Sequence, residues 1–121
     1  MMNESILTTA KKLITGLTED DTSFDMDLII HTNSVLNILS ELGVGDPNYQ
    51  IEDNANTWDE FIADKNYLNM CKSYMALKVR MLFDPPTAGP IIESYNKQLG
   101  ELEWRINAAA DPKDNNKLAE E

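Results

Sequence analysis

The apolar residues of this chain recur at helical spacing in several segments that are separated by short polar stretches. The first segment, residues 4–16, ends at Gly16, and glycine commonly follows the last turn of a helix. The second, residues 24–42, is followed by Gly43 in the same way. Both segments are therefore predicted to be amphipathic helices. Their apolar sides consist of Ile6, Ala10, Leu13 and Ile14 in the first, and of Phe24, Leu28, Val35, Leu39 and Leu42 in the second.

Residues 66–83 are the most apolar segment and are predicted to form the central, most buried helix. Pro85 and Pro86 end it, because proline fixes φ and lacks a backbone donor. A last amphipathic helix is predicted over residues 88–110, with Pro90 in its first turn. The chain must then turn back and pack these two helices against each other. Their apolar positions are Tyr67, Met70, Cys71, Tyr74, Met75, Leu77, Met81 and Leu82 in one, and Ile91, Tyr95, Leu99, Leu102 and Ile106 in the other.

Residues 43–56 form a long polar connection rich in Gly, Pro, Asn and Asp. Connections of this length in a small domain are usually functional or mobile. Within it, the run Tyr49-Gln50-Ile51 could pair as a short strand. Thr57 and Glu60 match a capping box, in which Thr57 caps a short helix and Glu60 reaches back to it. That short helix is expected to end near Asp64.

These segments together predict an all-α protein, a small bundle of about four main helices plus one short helix. A chain of 121 residues supports a single core, so one helical domain is expected over residues 1–110. Residues 111–121 are too polar to pack and are expected to be disordered in the free protein.

The charge balance narrows the possible partners. Ten basic and 21 acidic residues give a net charge of −11 at pH 7. Proteins that grip DNA neutralise its phosphates with Lys and Arg, so this balance argues against a tight hold on a phosphate backbone. Three interpretations stay open: a basic partner, DNA that must pass without sticking, or a charge that only keeps the protein soluble. No window holds the roughly 18 apolar residues of a membrane span, and no membrane association is expected.

Residue types that catalyse reactions or bind metals do not form a recognisable motif. The sequence has no Gly-rich phosphate loop, no paired cysteines and no His-x-x-x-His, so neither enzyme activity nor a cofactor or metal is predicted. Cys71, the single cysteine, lies among apolar residues and is interpreted as a small core residue. His31 lies on the apolar side of the second helix, where core packing with one hydrogen bond is favoured over pH sensing or a ligand role.

Four residues are candidates for contacts with other proteins: Trp104, Met26, Ile30 and Lys78. Trp104 lies about 170° away from the core stripe of its helix. It would either pack on the N-terminal helix of the same chain or anchor a contact between subunits. Met26 and Ile30, on the outer side of the second helix, are weaker candidates of the same kind. Lys78 falls within the apolar arc of the central helix, so it either reaches water along its stem or pairs with a carboxylate, which a neighbouring subunit could supply.

Through five segments that occur in one order, the sequence strongly resembles the small head–tail connector (adaptor) proteins of tailed bacteriophages. The resemblance covers roughly residues 20 to 110, and it lies in the ordered set rather than in any single piece. The segments are Phe24-Asp25-Met26-Asp27-Leu28-Ile29-Ile30-His31, Leu42-Gly43-Val44-Gly45, Thr57-Trp58-Asp59-Glu60-Phe61-Ile62, Lys78-Val79-Arg80-Met81-Leu82-Phe83-Asp84-Pro85-Pro86 and Glu101-Leu102-Glu103-Trp104-Arg105-Ile106-Asn107.

The resemblance implies a structural role and supplies no active site. It implies a homo-oligomeric ring of about twelve subunits beneath the phage portal protein, joined below to a stopper or tail-completion protein. Genomic DNA would pass through without specific binding. The expected location is the neck of the virion, and the host cytoplasm during assembly.

Two other kinds of protein remain as alternatives. A small acidic phage protein that mimics DNA and inhibits a host DNA-binding protein would account for the net charge. The wide apolar arcs and Trp104 argue instead for packing interfaces. An assembly scaffold or chaperone would, like a connector, be made late in infection, but it would leave the particle.

Overall fold

The computed structural model describes residues 4–18, 20–63 and 67–110. Within these ranges the chain is all-α and forms no strand; its one β-type pairing is an isolated bridge between Ser5 and Thr57. The predicted all-α bundle is thus confirmed, with three long helices and two short ones. The helices are α1 (Ile6–Lys11), α2 (Asp25–Glu41), α3 (Trp58–Phe61), α4 (Leu68–Phe83) and α5 (Gly89–Ala110).

Helix α4 lies at the centre of the bundle, as its wide apolar arc predicts. It packs against α1, α2 and α5, and α1 also packs against α2. Cys71, Tyr74, Met75 and Val79 of α4 are fully buried. The buried apolar side chains form one cluster that runs from Ile6 in α1 to Ile106 in α5. A single core therefore holds the helices together.

The N-terminal helix is shorter than predicted. Helix α1 begins after Ser5, whose Oγ accepts a 3.3 Å hydrogen bond from the Thr8 N–H, but it ends at Lys11 rather than near residue 16. Beyond it, Arg80 Nη1 of α4 donates a 2.7 Å hydrogen bond to the Leu13 carbonyl. The Leu13 carbonyl therefore accepts a tertiary hydrogen bond instead of one from a further helical turn. The Leu13 side chain is partly exposed, although its spacing predicts burial.

A buried lysine joins α1 to the start of α2. Only 3% of the Lys11 side chain is exposed, and its Nζ lies 2.9 Å from Asp25 Oδ1. The same Nζ donates a 2.9 Å hydrogen bond to the Asp21 carbonyl. A buried ammonium needs such partners, because desolvating an unpaired charge costs several kcal/mol. The acidic first turn of α2 therefore does more than complement the helix dipole: it also fixes the position of α1.

The predicted stops after the second helix and after the central helix are confirmed. Helix α4 ends at Phe83 immediately before the Pro85-Pro86 pair, and α5 begins at Gly89. After α2, Gly43 has a φ of +105°, which favours glycine because other residues are strained there.

The strand predicted at Tyr49-Gln50-Ile51 is wrong. The backbone of Ile51 pairs with a side chain instead of with another strand: its N–H donates to Asn33 Oδ1 at 2.8 Å, and its carbonyl accepts from Asn33 Nδ2 at 3.1 Å. Ile51 is buried in the core. An asparagine of α2 thus satisfies both backbone groups of a buried loop residue, which a hydrophobic pattern read locally does not reveal.

Two further contacts attach the long connection to the bundle. The Tyr49 hydroxyl donates a 2.7 Å hydrogen bond to Glu60 Oε1. Gly45 has a φ of +79°, and a Cβ placed there would lie 2.5 Å from the Phe61 ring. Only glycine fits at this point, because the ring of Phe61 occupies the space where any other side chain would begin.

The capping box predicted at the start of α3 is not formed. Thr57 occupies the N-cap position, but its hydroxyl donates to Asp59 Oδ1 at 2.7 Å and does not cap the helix. Hydrogen bonds from Asn56 and Tyr49, and a smaller contribution from the Thr57 N–H, lower the pKa of the Glu60 carboxyl. The hydrogen-bond donors to its carboxylate are the Tyr49 hydroxyl and Asn56 Nδ2 rather than the Thr57 N–H that a capping box requires. The helix ends at Phe61, and the predicted end near Asp64 falls outside the described residues.

The Asn33 contact generates the first prediction. Replacing Asn33 by Ala leaves the buried backbone groups of Ile51 without partners, and should lower the free energy of unfolding by about 2 kcal/mol. Urea denaturation measures this. The matched control is Asn37→Ala on the exposed side of the same helix, which should change stability by less than about 0.5 kcal/mol. Equal effects of the two substitutions would contradict the anchoring role of Asn33.

A second prediction concerns Cys71. Burial raises the pKa of its thiol to about 12, so at pH 8 the reactive thiolate fraction is only about 10⁻⁴. The folded protein should not react with a disulfide reagent such as DTNB on the timescale of minutes, and should react fully once unfolded in urea. A Ser73→Cys variant adds an exposed thiol two positions away, on the other side of α4, and should react at once. Rapid labelling of the native chain would place Cys71 outside the core.

Candidate interaction surfaces

The described part of the chain offers surfaces rather than an active site. Its surface grooves are open and shallow, and the described residues contain no group of three or more His, Cys, Asp or Glu side chains placed to hold a metal ion. None of the described helices is long and apolar enough to cross a bilayer. What the surface does offer is a small set of exposed apolar side chains and an uneven distribution of charge.

Trp104 is the largest exposed apolar side chain. It is 73% exposed on α5, while Ile106 on the opposite side of the helix is fully buried. Gly100, one turn before it, leaves open space beside the indole. The other tryptophan behaves oppositely: Trp58 is fully buried and its Nε1 donates a 2.8 Å hydrogen bond to Thr9 Oγ1. The alternative in which Trp104 packs on the N-terminal helix of its own chain does not describe this structure.

Met26 and Ile30 lie one turn apart on the outer side of α2. Their side chains are 82% and 63% exposed, whereas Leu28 between them is fully buried. Ile30 also lines one wall of an open groove between α2 and the 43–56 connection, with a volume of about 440 Å³. The other residues that line this groove are Asn33, Ser34, Asn37, Pro47, Tyr49 and Gln50. This side of α2 thus combines two exposed apolar side chains with a polar-walled groove.

Lys78 is half-buried on α4, and it makes no ion pair with any described residue. It follows Tyr74 by one turn, and the Tyr74 hydroxyl donates a 2.7 Å hydrogen bond to Glu103 Oε2 of α5. Burial, together with this hydrogen bond, raises the pKa of Tyr74. Glu103 of α5 is thus already engaged by Tyr74. The carboxylate partner considered for Lys78 is not supplied by the described part of this chain.

The four candidates do not form one site. Met26 and Ile30 share a face of α2, Trp104 lies on α5 and Lys78 on α4. His31, on the other side of α2, is half-buried with its ring 6.2 Å from that of Phe83, which agrees with a packing role. The predicted hydrogen bond is not formed with any described residue.

Three residues expected in the core are nearly half exposed: Phe24, Leu82 and Ile91. All three lie at helix ends, where no further turn covers them. Phe24 still contacts Phe83 edge-to-face, with ring centroids 5.5 Å apart. The helical spacing assigns these residues to the correct side, but it does not show where the neighbouring helix ends.

The distribution of charge is the feature that a total count conceals. Residues 13–64 hold twelve of the 21 acidic residues and none of the ten Lys and Arg residues. The rest of the chain is nearly balanced, with nine acidic and ten basic residues. Within residues 13–64, α2, the connection after it and α3 expose Asp27, Glu41, Asp46, Glu52, Asp53, Asp59 and Glu60. The whole excess of negative charge therefore lies on one contiguous part of the chain.

The exposure of Trp104 generates a third prediction. Fluorescence quenching by acrylamide, a neutral quencher, should separate an accessible emission from Trp104 and a shielded one from Trp58. Trp104→Phe should remove the accessible component and leave the shielded one. The same substitution should leave stability nearly unchanged, because little of the indole is buried. An unquenched wild-type protein would show that Trp104 is covered in solution.

Comparison with known protein families brings these features together. The model of the family described as phage connector protein matches residues 6–113, a span that includes all five helices. No curated protein and no solved structure matches the chain. Since the family model covers most of the sequence, the protein belongs to the phage connector protein family, which joins the head and tail of the virion.

Proposed function

We propose that this protein works as a ring of about twelve copies beneath the phage portal protein, at the neck of the virion. The family match over residues 6–113 is the observation that carries the proposal. In such a ring each subunit contributes modest contacts. Closure strengthens them, because the final contacts form within one assembly rather than between separate molecules.

The exposed apolar residues supply the contacts. Trp104, Met26 and Ile30 lie on α5 and α2, so they can serve different neighbours. Aromatic side chains that become buried at an interface commonly dominate its affinity. Lys78 is a further contact residue, whose partner would be a carboxylate of another subunit. The neighbours are other copies of the chain, the portal protein, and a stopper or tail-completion protein.

The acidic part of the chain suits the passage of DNA. Phosphates are repelled by carboxylates and find few Lys or Arg side chains to bind, so the genome would move through the ring without adhering. In this proposal the protein is made in the host cytoplasm and incorporated into the neck during assembly. It acts by geometry and contact, with no catalytic step.

One observation favours a second function. Residues 13–64 contain twelve acidic residues and no Lys or Arg, which is the kind of charge that a DNA mimic would present to a host DNA-binding protein. Against it stand Trp104, Met26 and Ile30, because a mimic needs a solvated array of charge and gains nothing from exposed apolar side chains. A scaffold or chaperone would use the apolar residues but would not stay in the particle.

A fourth prediction decides between these functions. Quantitative mass spectrometry of purified virions, with the portal protein as internal standard, should give about one copy of this protein for each portal subunit. A connector is a permanent ring beside the portal, which is why a fixed ratio is expected.

Absence of the protein from purified virions would contradict the connector ring. Expression early in infection would then favour the DNA mimic, and late expression with loss before maturation would favour the scaffold. A lysate sample taken throughout infection serves as the control that the protein is produced at all.

A further inference from the structure

The uneven charge restricts how two copies of this chain can meet, and this inference rests on the proposed ring. A symmetric contact between two acidic parts would bring Asp27 and Glu41 of one α2 against the same residues of the other. Like charges facing each other across an interface cost several kcal/mol. The exposed side of α2 therefore needs a partner surface that differs from itself.

Helix α5 offers such a surface on the same molecule. At 100° per residue, Lys97, Gly100, Trp104 and Ala108 form one stripe on the side opposite Ile106. Lys97 is exposed and makes no ion pair with any described residue. Arg105, beside Trp104, is engaged with Glu101 at 2.8 Å. Glu93, also exposed, falls in the same stripe one turn before Lys97. The stripe thus presents an indole, a gap at Gly100, one cation and one carboxylate.

We propose that the Trp104 stripe of α5 in one copy docks on the Met26–Ile30 side of α2 in the next copy. The exposed indole and the two exposed apolar side chains bury one another, and the groove beside Ile30 accommodates the ring. Lys97 lies two helical turns from Trp104, about 10 Å along the axis. If the two helices run in opposite directions Lys97 lies toward Glu41 of the neighbouring α2, and if they run in the same direction it lies toward the N-terminal end of that helix, beyond Asp27. In either direction a stripe whose Lys97 and Glu93 balance each other meets the acidic side of α2, which avoids the repulsion of a symmetric contact.

The two surfaces cannot meet within one copy. Phe83 of α4 contacts Phe24 and His31 of α2, whereas Tyr74 of α4 bonds Glu103 of α5. These two α4 residues are nine positions apart, which is about 180° around a helix. These contacts lie on different sides of α4, although the C-terminal ends of α2 and α5 do touch, since Asn107 Nδ2 donates a 3.0 Å hydrogen bond to the Leu42 carbonyl. Both exposed stripes face away from the core, because Ile106 and Leu28 on the opposite sides of the two helices are the buried residues. When the Trp104 stripe of one copy docks on α2 of the next, one Trp104 stripe and one α2 surface remain unoccupied at the two ends of the assembly. Further copies therefore add until the two ends meet and a ring closes.

Cysteine cross-linking in assembled particles tests this contact without removing Trp104. Gly100→Cys and Ser34→Cys place thiols one turn from Trp104 and from Ile30, at exposed positions that tolerate a small side chain. With a short bis-maleimide, particles that carry both substitutions should yield a ladder of dimers and higher oligomers. If the helices run in the same direction, Gly100→Cys with Met26→Cys should give the ladder instead.

Each single variant, Gly100→Cys or Ser34→Cys, should remain monomeric on the gel. Gly100→Cys with Ala55→Cys is the matched control and should also give no ladder. Ala55 is exposed but lies in the connection, away from the Met26–Ile30 side of α2. Native Cys71 is buried and adds no background. A dimer from Gly100→Cys alone would reveal a symmetric contact and overturn the proposal.

A second measurement covers variants that assemble poorly. Trp104→Ala should lower the number of copies per particle roughly tenfold or more, as expected for a central interface residue. Lys97→Glu should lower it less, and Lys97→Glu combined with Asp27→Lys or Glu41→Lys should restore it. The docking proposal alone would be overturned if wild-type particles hold the protein, the double-cysteine variants give no cross-links and Trp104→Ala does not lower the number of copies. Absence of the wild-type protein from particles would overturn the ring itself.

Discussion

The burial of α4 is the constraint on which the rest of the structure depends. Its apolar arc is too wide for one neighbour to cover, so α1, α2 and α5 must all pack against it. Each large side chain that it buries contributes about 1.5–3 kcal/mol, and several do so. The proline pair after Phe83 then turns the chain back, which brings α5 along α4. The positions of all the exposed residues discussed above follow from this arrangement.

The molecule divides its two kinds of surface between different helices. Negative charge is concentrated on α2 and the connection after it, while α5 presents an exposed indole with a lysine two turns away. The two sides of such a subunit therefore differ from each other. Assemblies that continue in one direction require subunits of this kind, whereas a twofold dimer requires a surface that matches itself.

Properties set by neighbours along the chain could be predicted from the sequence, and properties set by distant residues could not. The central position of α4, the stops at Gly43 and Pro85, and the outward direction of Trp104 all follow from local spacing. The length of α1 did not, because Arg80 binds the Leu13 carbonyl from 67 positions away. The loop around Ile51 did not, because its partner is the side chain of Asn33. Lys11 resembles an ordinary surface lysine in the sequence, and only the fold shows that it is buried beside Asp25.

The contacts of the 43–56 connection bear on how tightly this protein can bind. A loop of this length would normally lose conformational entropy when it is held against a partner, and that loss weakens association. Here Gly45 lies beneath Phe61, Tyr49 bonds Glu60, and Ile51 bonds Asn33. Most of the ordering has therefore taken place during folding, so a partner that docks beside Ile30 meets a surface already in its bound shape. The binding free energy that ordering a flexible loop would offset then contributes to the affinity for the partner.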